Sequence, residues 1–411
     1  MPAQALQCKE CRAEYPLEAR FVCDNCFGPL EVSYDFTGFD AAELRRRIQA
    51  GPLDIWRYAD FLPFEQPPRT ALTAGMTPLI RADRLAQKLG VGEVWIKNDA
   101  ANPTHSFKDR VVTVAVAKAQ ELGYGVVACA STGNLANAVA AHAAAAGLQS
   151  YVFIPSDLEE QKVLATGVYG TKLVAVHGNY DDVNRLCTEL SAEREWAFVN
   201  VNMRPYYSQG SKTLGFEICE QLGWSIPDRI VVPVASGSLF TKIARGIEEW
   251  REVGLVEGEL PTMNGAQALG CSPVAHAFEQ GWDVCKPQKP DTIAKSLAIG
   301  NPADGPYAVE LARKTGGSVD SVTDEEIVEG IRLLAETTGI FTETAGGVTT
   351  AVLRKLAERG DIGADERVVA VITGEGLKTL DVVRGTFETH EIEPSLAAFE
   401  ASVPEPVGSA A

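Results

Sequence analysis

Two apolar patterns alternate along most of the chain. Short continuous runs occur at 94–96, 126–130, 151–154, 173–176, 230–234 and 368–372, and Gly, Pro, Ser or Asp lie close to most of their ends. Between them lie longer stretches with helical patterning, at 82–89, 111–122, 134–146, 159–166, 181–194, 210–222 and 349–359. Runs that are apolar on both faces predict fully buried strands, and their alternation with helices predicts parallel sheets covered on both sides. A short helix is expected at 41–49, short strand or extended segments at 79–80, 196–201 and 265–272, and a helix opened by a Thr323…Glu326 capping box. The segment 51–64 reads as an extended arm. Its Trp56, Tyr58, Phe61 and Phe64 fasten it either to the main body or to a second subunit. The Pro-, Ala- and Ser-rich tail beyond about residue 393 is expected to fray.

Cysteine spacing changes this picture at the N-terminus. Cys8-x2-Cys11 and Cys23-x2-Cys26 are two pairs separated by eleven residues, and two such turns can converge on one tetrahedral zinc. Disulfides are the alternative, disfavoured because no basic-then-apolar export signal opens the chain. So small a module needs a metal to fold, and with four thiolate ligands no position is left open for substrate. The expected organisation is a zinc-ribbon-like module at 1–37, a large domain from 38–105 and 232–395, a small α/β domain at 106–231, and a tail at 396–411.

Composition narrows the partners. The 411 residues are 45% hydrophobic and carry a net charge of −18, which argues against nucleic acid but leaves room for a small anionic substrate. No apolar run is long enough to span a bilayer. With the five remaining cysteines scattered in apolar segments, a reducing cytoplasm is the expected location.

The candidate chemistry lies where strands run into helices. Lys108 stands at such a junction beside Thr104 and Ser106, and a cation at a helix entrance is not placed for helix stability. A solvated lysine beside Asp109 is the alternative. Ser131-Thr-Gly-Asn134 and Ala235-Ser-Gly-Ser-Leu239 are small-residue turns opening helices, suited to an anion, though each could be a plain tight connection. Thr373 ends the last buried strand. In an open parallel sheet, ligands bind beyond the carboxyl ends of the strands. A lysine, an anion turn, a polar amide and a terminal hydroxyl together suit pyridoxal phosphate.

At this point a resemblance enters. The segments at 102–110, 131–134, 210–218 and 373–378, with Phe341-Thr-Glu-Thr-Ala-Gly-Gly347, resemble the threonine synthase family over residues 55–390. That family belongs to the fold type II, tryptophan-synthase-β-like pyridoxal-phosphate enzymes. The resemblance implies an α/β fold of two open, mostly parallel sheets with helices on both faces, and a homodimer. It implies that Lys108 carries the cofactor and then shuttles protons, that Asn134 meets the cofactor's 3′ oxygen, and that the amides of Ala235, Ser236, Gly237, Ser238 and Leu239 hold its phosphate. Thr373 would face the ring nitrogen. Ser106 would wall the substrate pocket, Ser131 and Thr132 would take the substrate carboxylate, and Asn202, Arg204 and Lys212 are candidates for its phosphate. The implied reaction converts O-phospho-L-homoserine and water to L-threonine and phosphate, with protons lost at Cα and Cβ before phosphate leaves Cγ. Two positions depart from the family pattern: Ala235–Leu239 replaces a Gly-Asn-x-Gly-Asn turn, and Glu375 stands where relatives often carry His. A serine/threonine dehydratase or a cysteate synthase on the same fold, and a cofactor-free zinc-ribbon interaction protein, are the competing readings.

Overall fold

The computed structural model describes residues 2–66, 68, 72–131, 133–156, 158, 160–178 and 180–403. Strands β1 (Ala3–Cys8), β2 (Glu14–Tyr15) and β3 (Leu30–Tyr34) form a small antiparallel sheet. They are followed by β4 (Leu79–Arg81), β5 (Glu93–Asn98), β6 (Val126–Ala130), β7 (Gln149–Pro155), β8 (Lys172–Val176) and β9 (Ala197–Phe198). The last four are β10 (Arg229–Pro233), β11 (Thr262–Ala268), β12 (Val319–Val322) and β13 (Arg367–Ile372). A four-stranded parallel sheet has the order β8-β7-β6-β9, and a six-stranded sheet the order β12-β11-β10-β13-β5-β4. In the larger sheet only β4 runs antiparallel.

The sheets are covered as the continuous apolar strands require. On one face of the larger sheet Val231, Val368, Ala370 and Ile372 join Val348, Val352 and Leu356 of the helix Thr344–Glu358. On the other face Ile230, Val232, Val369 and Val371 meet Phe216, Phe240, Ile243 and Trp250. The smaller sheet packs against Val111–Val116 and the alanine-rich helix Asn134–Ala146. β10 pairs with β11 along its whole length, so a boundary at 231/232 falls inside a strand of the larger sheet. The arm settles against the body: Tyr58 and Phe61 lie 5.4 and 5.2 Å from Phe216, ring centroid to centroid.

Several expected elements differ. The arm expected to be extended winds into a 3-10 helix, Ile55–Phe61, where Asp54 accepts the Trp56 amide at 2.9 Å, and the helix expected at 349–359 starts earlier, as Thr344–Glu358. The helix expected from residue 210 runs Arg204–Gln221, opened by a proline in its first turn. Gly210 is therefore mid-helix, where the helix Lys108–Glu121 crosses so closely that a Cβ would sit 2.4 Å from the Arg110 carbonyl oxygen. The extended segment at 196–201 keeps only β9, because Asn202 Oδ1 takes the Phe198 amide at 2.8 Å. The tail forms a short helix, Leu396–Ser402, capped by Ser395.

Candidate active site

The carboxyl ends of β5, β13 and β10 lie side by side, and the loops beyond them build the site. Beyond β5 the chain turns through residues 99–107 before the helix Lys108–Glu121. Bonds to the loop after β13 pin that turn: the Phe107 amide donates to the Thr373 carbonyl at 2.9 Å, and Ser106 bridges to Gly374. His105 is held with φ at 61°, in the left-handed region, while its carbonyl accepts the Glu375 amide at 3.2 Å. Asp109 closes the turn from inside, accepting from the Thr104 amide at 2.8 Å and meeting His142 Nε2 at 2.9 Å. Asp109 is therefore engaged on the turn and Lys108 is left free of it.

Lys108 is the first residue of its helix and half-buried. Its Nζ donates to the Tyr207 hydroxyl at 2.8 Å and lies 4.6 Å from the Phe107 ring centroid. Behind it, Arg110 is fully buried and bonds both Asp99 (2.7 Å) and Glu217 (2.5 Å), and Glu217 also takes Lys97 (2.6 Å). Burial would raise the Glu217 carboxyl, but Arg110 and Lys97 outweigh it and hold it at about 2. Two cations and two anions thus share one dry compartment under the Lys108 turn, locking the helix entrance.

Asn134 begins the helix Asn134–Ala146, and its amide is held from both ends. Nδ2 donates to both Glu343 carboxylate oxygens at 3.0 Å, and Oδ1 accepts Lys378 Nζ at 2.7 Å. Lys378 also donates to the Thr104 carbonyl at 2.6 Å, which ties Asn134 to the Lys108 turn. Burial pushes the Glu343 carboxyl up, against the opposing pull of Asn134, Lys378 and Lys108. Ser131 Oγ accepts the Ala136 amide, in the first turn of the Asn134–Ala146 helix, at 3.2 Å; Thr132 lies outside the described residues.

The turn after β10 leads into the helix Ser238–Glu252, which has no side-chain cap. Its first intrahelical bond runs from the Thr241 amide to the Gly237 carbonyl, leaving the amides of Ser238, Leu239 and Phe240 without a partner inside the helix. Gly237 has φ of 96°, and a Cβ there would lie 2.7 Å from the Asp304 carbonyl oxygen. Asp304 in turn donates its amide to the Ser236 carbonyl and accepts Arg204 Nη2, both at 2.8 Å. Arg204 and Tyr207 are three apart on one helix, a spacing that makes side chains neighbours. One helical turn therefore reaches both the anion turn and Lys108.

Two candidates are not brought here. Lys212 is fully buried, its Nζ bonded to Glu249 (2.8 Å) and the Phe61 carbonyl (3.0 Å), 4.0 Å from the Tyr34 ring centroid. Burial lowers its amine to about 8 against the pull of Glu249, and it fastens the arm rather than facing a ligand. Asn202 spends its amide on Phe198 and Trp196. Both are candidates through the family resemblance alone, and in the structure their polar groups are spent on the protein's own backbone and on Glu249. Glu375, whose role was open, caps the following 3-10 turn by accepting the Leu377 amide at 2.9 Å. Glu343, Lys378 and Tyr207 were not singled out as site residues. The first two stand inside the 341–347 and 373–378 segments that carry the family resemblance, whereas Tyr207 has no sequence signal beyond its place before Gly210. A separate cleft of about 710 Å³ is lined by Glu10, Tyr307 and Arg313 and by none of the candidate site residues.

A model of the pyridoxal-phosphate-dependent enzyme family matches residues 70–374. The threonine synthase of Methanocaldococcus jannaschii is 39% identical over 94% of this chain and 96% of its own length, and that of Methanosarcina acetivorans is 40% identical over 91% and 92%. The chain belongs to the threonine synthase family. Solved structures on the same fold include a maize serine racemase (TM-score 0.62, 19% identical, covering 82% of this chain and 93% of that one). The processed threonine deaminase isoform 2 of Solanum lycopersicum is another (TM-score 0.65, 20% identical, covering 93% and 96%). At those identities they speak for the fold alone.

The residues present suit the cofactor of this family. Ser106 Oγ is buried with no hydrogen-bond partner, an orphan that a polar group in the pocket would satisfy. Unpartnered helix amides after a small-residue turn suit a phosphate, and the Lys108 amine suits a carbonyl. At the N-terminus the sulfurs of Cys8, Cys11, Cys23 and Cys26 all lie within 4.8 Å of one another. The Cys8–Cys26 and Cys11–Cys23 pairs stand at 3.5 Å, close to the edge of a tetrahedron with metal–sulfur bonds of about 2.3 Å.

Proposed function

We propose that the protein is a pyridoxal-phosphate-dependent threonine synthase, converting O-phospho-L-homoserine and water to L-threonine and phosphate. The observation that carries this reading is the turn that ends in Lys108, tied through Phe107 to the loop of Thr373 and through Thr104 and Lys378 to the amide of Asn134, in a chain whose curated relatives bear that name over nearly their full length. Lys108 would bind the cofactor, the amides from Ala235 to Leu239 its phosphate, Asn134 its 3′ oxygen and Thr373 its ring nitrogen. Bound there, pyridoxal phosphate would supply a sink for the electron pair left when a proton is lost beside the substrate nitrogen.

The chain's own groups do the rest. The Lys108 amine takes and returns protons from the first turn of a helix braced by the Arg110–Glu217 compartment. Phe107 and Tyr207 narrow the space around it, which keeps water from competing for the amine. Ser106 lines the pocket. The N-terminus of the helix Asn134–Ala146 would present a positive dipole end to a carboxylate. Of the three candidates for the substrate phosphate only Arg204 stands near the site, already paired with Asp304.

We also propose a structural zinc on Cys8, Cys11, Cys23 and Cys26, and a homodimer in which exposed Leu377, Leu380 and Phe387 would find cover. Among the described residues no helix is long and apolar enough to cross a membrane, and a cytoplasmic location fits the free thiols. The domain division is best placed before Arg229, so that β10 stays with its sheet.

The test is absorbance and phosphate release. Protein supplied with pyridoxal phosphate should gain a near-visible band that Lys108→Ala removes, and should release phosphate from O-phosphohomoserine. A colourless protein, or one that acts only on O-phosphoserine, overturns the assignment.

A further inference from the structure

The proposed reaction moves more protons than one amine can hold at once. Protons leave two substrate carbons, and a phosphate dianion expelled by C–O cleavage also needs a proton on the oxygen that departs. Lys108 has one hydrogen-bond partner among the described residues, the phenol of Tyr207 at 2.8 Å. The amine donates in that bond, so the phenol's own proton is not used there. No other hydrogen bond from the Tyr207 hydroxyl is found among the described residues. Tyr207 is half-buried, packed with Phe107 against the core of the small domain, and its amide is bonded to the Met203 carbonyl at 2.9 Å. The phenol is therefore held in place with its proton available to the pocket. One helical turn before it, Arg204 reaches the Asp304 clamp on the anion turn, so this helix face carries both a cation and an acid beside Lys108.

We propose that Tyr207 is a catalytic residue, the acid that passes protons from Lys108 to the departing phosphate. This rests on the threonine synthase reading. In the step, an N–H bond of the protonated Lys108 breaks as an O–H bond forms on the phenol oxygen. The phenol's original O–H bond breaks as a new one forms on the bridging oxygen of the substrate phosphate. The Cγ–O bond then breaks with its electron pair staying on the oxygen, while the pair left at Cβ by its lost proton forms the Cβ–Cγ double bond. Lysine is left neutral, ready to take the next proton.

Tyr207→Phe removes the hydroxyl and keeps the ring that packs on Phe107. The relay predicts a split. The variant keeps the Lys108-dependent absorbance band, and it still exchanges the substrate's Cα hydrogen with solvent deuterium at the wild-type rate, because the amine performs that step. Phosphate release falls by about 10²-fold, the lower end of what a positioned general acid supplies. Fluorotyrosine at position 207, a more acidic phenol of nearly the same size, keeps the enzyme active and moves the basic limb of the kcat profile to lower pH. A Phe variant that releases phosphate at the wild-type rate, or that loses exchange and the band together, overturns the relay, as does a fluorotyrosine enzyme with an unshifted limb. Wild-type protein with no band, or with no phosphate release, overturns the parent reading instead.

Discussion

Asn134 shows how a single amide is given one orientation. A side-chain amide is nearly symmetric in shape, so its oxygen and nitrogen can exchange places unless their partners differ in kind. Here Lys378 can only donate and a charged Glu343 can only accept, so Nδ2 faces the carboxylate and Oδ1 the ammonium. That depends on the Glu343 charge, which burial disfavours. Its folded-state affinity for protons is raised above that of an ordinary glutamate. As pH falls from neutrality, Glu343 therefore takes its proton before exposed carboxylates do, and Asn134 loses the charge that orients it. Cofactor affinity should accordingly weaken on the acid side from a pH above the usual glutamate range. Glu343→Gln should flatten that limb while lowering affinity at neutral pH. The linkage for stability has the opposite sign: the contribution of the neutral carboxyl is complete below the unfolded pKa and is lost as pH rises through the raised folded value. The Gln variant should then melt no lower than wild type at pH 7 although it binds cofactor more weakly. Cofactor fluorescence titrations across pH, beside thermal melts, check both; an unchanged acid limb removes Glu343 from this role.

At the scale of elements, the strands and their order of alternation with helices were legible because burial on both faces leaves a continuous apolar run. Lys108, Asn134, Ala235–Leu239 and Thr373, the residues proposed to hold the cofactor, stand out in the sequence for a related reason: small or chemically distinct residues at strand ends contrast with those runs. Glycine was misleading. Gly210 in Gly-Ser-Lys-Thr reads as a helix opener, yet it is a crossing point where the backbone of Arg110 lies against its Cα. Gly347, also placed before a helix in the sequence reading, lies inside one, where a Cβ would stand 2.6 Å from the Ile327 carbonyl oxygen. A close crossing and a turn both select glycine, and only tertiary contacts distinguish them. Lys212, two residues on, accordingly lies mid-helix in a buried pair with Glu249 rather than in a solvated first turn. Gly210→Ala must push apart the two helices that carry Tyr207 and Lys108. It should destabilise the protein by about 1–3 kcal/mol, the usual cost of overpacking a tight interior. Denaturant unfolding measures this, and a wild-type midpoint would mean the helices are free to separate.

For the molecule as a whole, the question is why a cysteine module accompanies an active site from which it supplies no side chain. Its apolar residues do not form a core of their own: Leu6, Leu30 and Val32 belong to the same cluster as Val111–Val116 and Tyr206. Its polar contacts reach three helices, one of them, Ser238–Glu252, through the Glu31–Lys242 pair at 3.0 Å. The Tyr206 hydroxyl donates to the Glu18 carbonyl at 2.9 Å and that of Tyr34 to Gln209 at 3.0 Å, on either side of Tyr207. Lys9, between the first two cysteines, stands 3.3 Å from the Tyr307 ring centroid, and Glu10 bonds that tyrosine's hydroxyl. Tyr307 lies in the helix Gly305–Lys314, which follows Asp304, the residue that clamps the anion turn and Arg204. The module therefore braces both the helix that faces Lys108 and the turn proposed to hold the cofactor phosphate. Without metal, a segment this short has too little apolar surface to keep its shape, and both supports should slacken. Removing the metal with a chelator should weaken cofactor affinity by roughly tenfold, within the range of coupling between linked sites. Restoring zinc should return it. Replacing the exposed ligands, as in Cys11→Ser with Cys26→Ser, should reproduce the loss without chelator. Metal content by atomic emission and cofactor binding by fluorescence follow the two events separately. Metal-free protein that binds pyridoxal phosphate as tightly as the zinc form would reduce the module to a bystander.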